Sequence, residues 1–155
     1  MLSYSENMFP FDTLPTYLND CTIELSHTGA PTQLNMWDIN TCTAHDLYLR
    51  PLIYHRADIF IITFSITFPG SLESVETRWY PEIKQHCPNA TIFLVATKID
   101  LRRKYNLLNN VMEKWAPVTS DQGVAMAKKL GIRYFETSAL TGKGVRSVFE
   151  AAIRM

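Results

Sequence analysis

Cysteine, net charge and long apolar stretches are all scarce in this chain, and each shortage removes a class of protein. Three cysteines in 155 residues, Cys21, Cys42 and Cys87, are too few and too scattered to staple a small secreted domain. Their odd number leaves one unpaired, so a reducing, cytoplasmic setting is expected. Fifteen basic residues balance fifteen acidic ones. With no net charge there is no electrostatic case for nonspecific binding to nucleic acid or to an anionic membrane. The most apolar run, Ile59 to Ile66, is interrupted by Thr63 and Ser65 and falls far short of the ~20 residues that cross a bilayer. Met1 to Glu6 lacks the basic and apolar regions of a signal peptide, and Ala152 to Met155 carries no prenylation signal, so no membrane anchor is expected in this chain. Internal repeats and low-complexity tracts are absent too. What remains is the expectation of one soluble domain over 1–155 with a single core.

The pattern that is present alternates strand and helix. Asp58 to Ser65 and Thr91 to Ala96 are β-branched and aromatic runs with almost no polar interruption, as expected of parallel strands buried on both faces. Between them, Leu72, Val75, Trp79 and Ile83 recur at helical spacing, with Pro81 expected to kink the helix or break it for a turn. Further on, Ser120 to Leu130 is amphipathic and Gly131 is placed to end it. A short strand follows at Arg133 to Glu136, then a turn at Thr141-Gly142-Lys143-Gly144 and a last helix carrying Val145, Val148, Phe149 and Ile153. Near the front, Cys21 to His27 and Thr32 to Asp38 alternate about Thr28-Gly29-Ala30-Pro31, which reads as an antiparallel hairpin. The class is therefore α/β, a mostly parallel sheet with helices on both faces.

Two loops carry the chemistry. The second buried strand runs into Thr97-Lys98-Ile99-Asp100, and the last strand, roughly forty residues later, runs into Thr137-Ser138-Ala139-Leu140. Loops at strand C-termini are where open α/β sheets bind ligands. Each tetrapeptide is a weak signal alone; in this order, each after a strand, they are specific. They resemble the base-reading loops of small GTPases of the Ras superfamily, a P-loop NTPase fold. That resemblance implies guanine-binding roles for Thr97, Lys98, Asp100, Ser138, Ala139 and Leu140. Asp100 would accept hydrogen bonds from the guanine N1–H and exocyclic amine, Lys98 would pack its stem along the ring, and the Ser138–Leu140 backbone would donate to the guanine O6.

Further stretches resemble the Rho/Rac branch in particular. Phe9-Pro10 and Leu14-Pro15-Thr16 are similar to its first switch, and Trp37-Asp38 to the end of its third strand; Thr16 and Asp38 stand at its magnesium positions. Leu49-Arg50-Pro51-Leu52, Trp79-Tyr80-Pro81-Glu82-Ile83 and His86-Cys87-Pro88-Asn89 are Rho-like, and 101–117 lies where Rho proteins carry a helical insert. GTP or GDP and magnesium are the ligands this implies, signal transduction the role, and Rho-type regulators or effectors, met through the first switch and the insert, the partners.

Two motifs of that family do not occur. No Gly-x4-Gly-Lys-[Ser/Thr] is found, so the backbone cradle and lysine that hold phosphates are lacking, and Met1 to Phe9 resembles the close of the helix that follows such a loop. The first strand, which pairs centrally in that family, is expected to be missing with it. Its absence would leave two apolar strand edges that meet directly, take a strand from another chain, or mark a truncated product. Where the family has Asp-x-x-Gly-Gln, this chain has Asp38-Ile39-Asn40-Thr41-Cys42, and the segment to Leu49 is one residue longer than the family's. Without the glycine and the glutamine, no catalytic residue is assigned and intrinsic hydrolysis is expected to be lost. The expectation is a pseudoGTPase with weak or no nucleotide binding. The alternatives are a non-enzymatic interaction module for Rho regulators or effectors and a truncated fragment without function.

Other candidates have plainer readings. Thr141 to Gly144 precedes a helix like a phosphate loop but lacks the upstream glycine, and reads as a turn. Cys42 and His45 have no second pair at metal spacing, so a surface thiol and imidazole are expected rather than zinc. Trp79 is read as core and Trp115, in the insert, as a contact residue; Arg102-Arg103-Lys104 and Lys128-Lys129 are read as solvated faces.

Overall fold

Three apolar runs pair side by side in the computed structural model, which describes residues 1–7, 9, 20–27, 30–39, 46–102 and 116–155. They are β3 (Ile59–Ser65), β4 (Thr91–Thr97) and β5 (Arg133–Glu136), a parallel sheet in the spatial order β3-β4-β5. Ser65 stands opposite Thr97, and Ala96 opposite Glu136, so all three strands end on one edge. The two loops singled out above leave from that edge.

The front hairpin forms as the alternation predicts, but its strands are longer than expected. β1 (Asp20–His27) and β2 (Ala30–Trp37) pair antiparallel, and the ladder takes in Ala30 and Pro31, which the sequence assigned to the turn. A two-stranded ladder consists only of edges, where proline is tolerated. Among the described residues β2 and β3 share no ladder; the hairpin and the parallel sheet are separate. Direct pairing of the two apolar edges is therefore not the arrangement adopted by these strands.

Burial corrects one expectation. β4 is buried on both faces, as its unbroken apolar run predicts, but β3 is not: Phe60, Ile62 and Phe64 are buried while Ile61 and Thr63 are exposed. The cause lies in the helices. On one face, Phe60, Ile62, Phe64, Ile92, Leu94 and Ala96 pack with Val75, Ile83, Val118 and Ala127 into the main core. On the other, Phe93 and Val95 of β4 are covered by Val148, Ala151 and Ala152 of the last helix, whose cover extends to Ile59. Ile61 lies beside Phe93 in register yet remains 36% exposed.

The helices follow their sequence signals closely. The helical stretch between β3 and β4 comprises α3 (Pro69–Ser74), a π turn (Val75–Trp79) and α4 (Tyr80–His86). The widened turn stands directly ahead of Pro81, so the break expected from proline takes the form of a π turn in a continuous helix. Trp79 is half-buried against the core, as expected of its spacing. Before β3, α2 (Asp46–Tyr54) is clamped to α4. The buried Arg50 guanidinium reaches Glu82 at 3.1 Å, and the Tyr54 hydroxyl donates to the same carboxylate at 2.8 Å. Burial first, and that hydrogen bond second, push the Tyr54 hydroxyl's pKa up. After β4, α5 (Ser120–Leu130) starts with a reciprocal cap between Thr119 and Gln122 and ends on Gly131 at φ +67°. On α6 (Val145–Ile153) rests the short α1 (Leu2–Ser5), its Tyr4 ring stacked on Phe149 at 4.1 Å.

The one-sided burial of β3 is testable. Phe64→Ala should cost about 3–5 kcal/mol in chemical denaturation, as truncation of a fully buried ring does. Ile61→Ala should cost no more than about 1 kcal/mol. Equal losses would contradict the exposure of β3's second face.

Candidate functional site

The C-terminal ends of β4 and β5 turn the two loops toward each other. Thr137, the residue after β5, donates its N–H to Ala96 O at 2.7 Å, and its hydroxyl donates to the same oxygen at 3.0 Å. Its own carbonyl accepts from Ile99 N–H at 3.2 Å. The loops are thereby joined backbone to backbone, and the side chains that matter follow. The hydroxyl of Ser138, a residue with no exposed surface, donates to Asp100 Oδ1 at 2.5 Å. Thus 38 positions of chain separate two groups in direct contact.

That bond uses one lone pair of the Asp100 carboxylate. The group is half-buried at the mouth of the sheet. A carboxylate with lone pairs left over is able to accept two adjacent N–H groups, and the Ser138 hydrogen bond restricts its rotation. Lys98 is exposed beside it at φ +63°, a left-handed conformation uncommon for a side chain with a Cβ. Ala139 and Leu140 lie exposed on the opposite rim. Thr97 behaves differently from its neighbours: its hydroxyl donates to Phe64 O at 2.9 Å, inside the sheet, so it anchors the loop to β3. The structure therefore brings the loop that carries Lys98 and Asp100 against the loop that carries Ser138, Ala139 and Leu140, with Thr97 anchored to β3.

Several residues that hold this site escaped the reading of the sequence. Arg102 was grouped with a solvated basic run, yet it is half-buried and forks onto Glu136, with Nη1 and Nη2 at 3.1 and 2.9 Å from the two carboxylate oxygens. Tyr134 donates its hydroxyl to Glu136 as well, at 2.9 Å. Burial alone would raise the Glu136 pKa, but hydrogen bonds from Arg102, Ser120 and Tyr134 together hold it below the usual glutamate range. Conversely, the hydrogen bond to Glu136 raises the Arg102 pKa. Gly144, read as part of a turn, is required by contact. A Cβ there would fall 2.0 Å from Glu136 O, and its φ is +72°. The turn also supplies Lys143 O as acceptor for Ser138 N–H at 2.9 Å. From the far side the Ser3 hydroxyl donates to Ala139 O at 2.9 Å.

The magnesium positions are not assembled in the same way. Asp38 is exposed just beyond β2, and Thr16 lies outside the described residues. Among the described residues no three His, Cys, Asp or Glu side chains converge as a metal site would need. Cys42, His45, Trp115, Arg103 and Lys104 also lie outside the described residues. Lys128 and Lys129 are both exposed, as expected, and Lys129 forms a surface ion pair with Glu76. No helix among the described residues is long and apolar enough to cross a membrane.

A family model for the Ras family matches residues 1–155, the whole chain. The chain belongs to the Ras family, whose members are small GTPases that bind GTP or GDP with magnesium.

Two outcomes check this site. Gly144→Ala should destabilise the protein by roughly 1–3 kcal/mol, because the new methyl meets a backbone carbonyl and the φ is unfavourable. Gly142→Ala, with open space around it, should cost about 1–2 kcal/mol from its φ alone and leave the loops in place. Thermal melting with amide spectra of Glu136 to Ser138 separates the two. The second concerns pH. Because the folded pKa of Glu136 is lowered, its contribution to stability is complete above the unfolded value of ~4.3 and is lost as pH falls through the folded one. The stability gap between the parent protein and Glu136→Gln should close over that descent; a gap that widens in acid would contradict the assignment.

Proposed function

We propose that this chain is a Rho/Rac-type member of the Ras family that reads guanine through Asp100 but holds the nucleotide weakly and does not hydrolyse GTP. The observation that carries the first half is the Asp100 carboxylate, fixed by Ser138 at the shared end of β4 and β5. Adenine offers no matching pair of donors to a carboxylate in that position, so the pocket discriminates by hydrogen-bond chemistry. Lys98 flanks the ring, and the backbone of the exposed Ala139 and Leu140 meets the base oxygen, the Ser138 N–H being taken by Lys143 O.

The Rho/Rac assignment rests on residues that the fold connects. Arg50, from the Leu49-Arg50-Pro51-Leu52 stretch, pairs with Glu82, from the Trp79-Tyr80-Pro81-Glu82-Ile83 stretch. Two of the Rho-like segments thus form one interlocking contact, which supports reading them as a unit.

Weak binding follows from magnitudes. The 155 residues contain no Gly-x4-Gly-Lys-[Ser/Thr]. Each charge-assisted phosphate contact is worth ~1.5–3 kcal/mol, so forgoing three or four costs on the order of 5–10 kcal/mol, or four to seven decades of affinity. Phosphoryl transfer depends almost entirely on positioning and charge stabilisation. With neither the phosphate cradle nor a glutamine after Asp38 in this chain, the γ-phosphate is not engaged.

A second reading has its own support. Trp37 at the end of β2 and Leu52 on α2 are 49% and 67% exposed, large apolar groups that suit a protein partner. On this reading the chain acts without turnover, by offering those surfaces to regulators or effectors of other Rho-type proteins.

Calorimetry and phosphate release test the proposal. GDP should bind with a Kd of about 100 μM or weaker and better than ADP. Asp100→Ala should erase that preference, and GTP should show no phosphate release above buffer. Stoichiometric GDP carried through purification would refute the weak-binding half, and equal affinity for GDP and ADP the base-reading half.

A further inference from the structure

Glu136 is placed where a single side chain governs both base loops. It closes β5, one residue before Thr137 and two before Ser138. Its fork partner, Arg102, follows Asp100 by two residues, in a turn closed by Leu101 N–H to Lys98 O and Arg102 N–H to Ile99 O at 3.0 and 3.2 Å. Arg102 Nη2 also reaches Val118 O at 3.5 Å, ahead of α5. The third arm, Tyr134, stands where residue 123 has no side chain: a Cβ on Gly123 would lie 2.3 Å from the Tyr134 hydroxyl. One carboxylate therefore joins the segment after Asp100 to the segment before Ser138, and a ring wedged against α5 keeps it in place. The inner link between the same loops is made of Ile99 N–H to Thr137 O and Ser138 Oγ to Asp100. Neither inner contact holds charge on both sides, whereas the outer one is a bidentate ion pair that fixes distance and angle together.

We infer that the Arg102–Glu136 fork, backed by Tyr134, is a positioning device for base recognition, setting the angle at which Asp100 faces an incoming purine so that both of its donors are met at once. This rests on the guanine reading above and adds to it the residues that make the reading selective. An ion pair serving stability alone would lower affinity for every purine nucleotide equally. A positioning pair acts on the second hydrogen bond most, because that bond fails first when the carboxylate turns.

Inosine diphosphate lacks the exocyclic amine and so meets Asp100 through one donor only. Two measurements on the full chain follow: GDP and IDP titrations by amide chemical shift, which reaches weak affinities, and hydrogen exchange at Ile99, which needs no ligand. Glu136→Gln should lower the ratio of GDP to IDP affinity several-fold toward one and speed exchange at Ile99 about tenfold. Exchange at Leu94 and Val95 in β4 should speed up far less, in step with the global loss of stability alone. The exchanged pair, Arg102→Glu with Glu136→Arg, should restore much of both. An unaltered ratio and unaltered Ile99 exchange in Glu136→Gln would overturn the inference, as would acceleration at Ile99 no greater than that across β4, which marks loss of stability alone. If the parent protein binds neither nucleotide, the base-pocket reading and the selectivity claim fall together, whereas an intact GDP preference insensitive to Glu136→Gln sinks only the positioning role.

Discussion

Parallel pairing of β4 with strands on both sides is the constraint on which the rest depends. Among the described strands only β4 is buried on both faces, and its register with β3 and β5 fixes where each neighbour ends. Because Ala96 stands opposite Glu136, the chain leaves the sheet at the same level in both strands, and the next residues have nowhere to go but against each other. Contact between Asp100 and Ser138 follows from strand register before any ligand chemistry is invoked. A one-residue slip in β5 would invert the side chains and carry Glu136 away from Arg102.

Polar groups then do what register alone does not. Half-buried charges are costly unless they are paired and hydrogen-bonded, and this fold pairs them across elements. Arg50, Tyr54 and Glu82 tie α2 to α4, while Arg102, Tyr134 and Glu136 tie one base loop to the other. Each cluster has a single carboxylate receiving an arginine and a tyrosine hydroxyl. Removing either carboxylate would leave a buried Arg50 or a half-buried Arg102 uncompensated, so each cluster penalises conformations in which its elements separate. The exposed second face of β3 shows the converse: without a covering helix, an apolar residue such as Ile61 stays in contact with solvent.

Much of this was legible in the residues. The strand runs, the capped helix from Ser120 to Leu130 and the last amphipathic helix follow from period and end signals, because local chemistry decides them. The two loops after β4 and β5 were legible for a different reason: their residue types, in that order and spacing, resemble a recognition motif rather than a periodic pattern. The Ras-family match over 1–155 agrees with that reading of class. What escaped was tertiary. One face of β3 was expected to be covered because an apolar run says nothing of which helix reaches it. Arg102 looked like part of a basic surface because its partner lies 34 positions away. Gly144 looked like an ordinary turn glycine because the carbonyl it must avoid is brought there only by the fold.

The central claim is that a base-reading pocket stands formed in this chain independently of any phosphate contact. Titration with guanosine and with adenosine, nucleosides that carry no phosphate, tests it most directly, with the backbone amides of Lys98, Asp100, Ser138 and Ala139 as reporters. Guanosine should shift these four signals in a saturable way at millimolar concentration, and adenosine should leave them unmoved. Equal shifts from both nucleosides, or shifts from neither, would contradict the account.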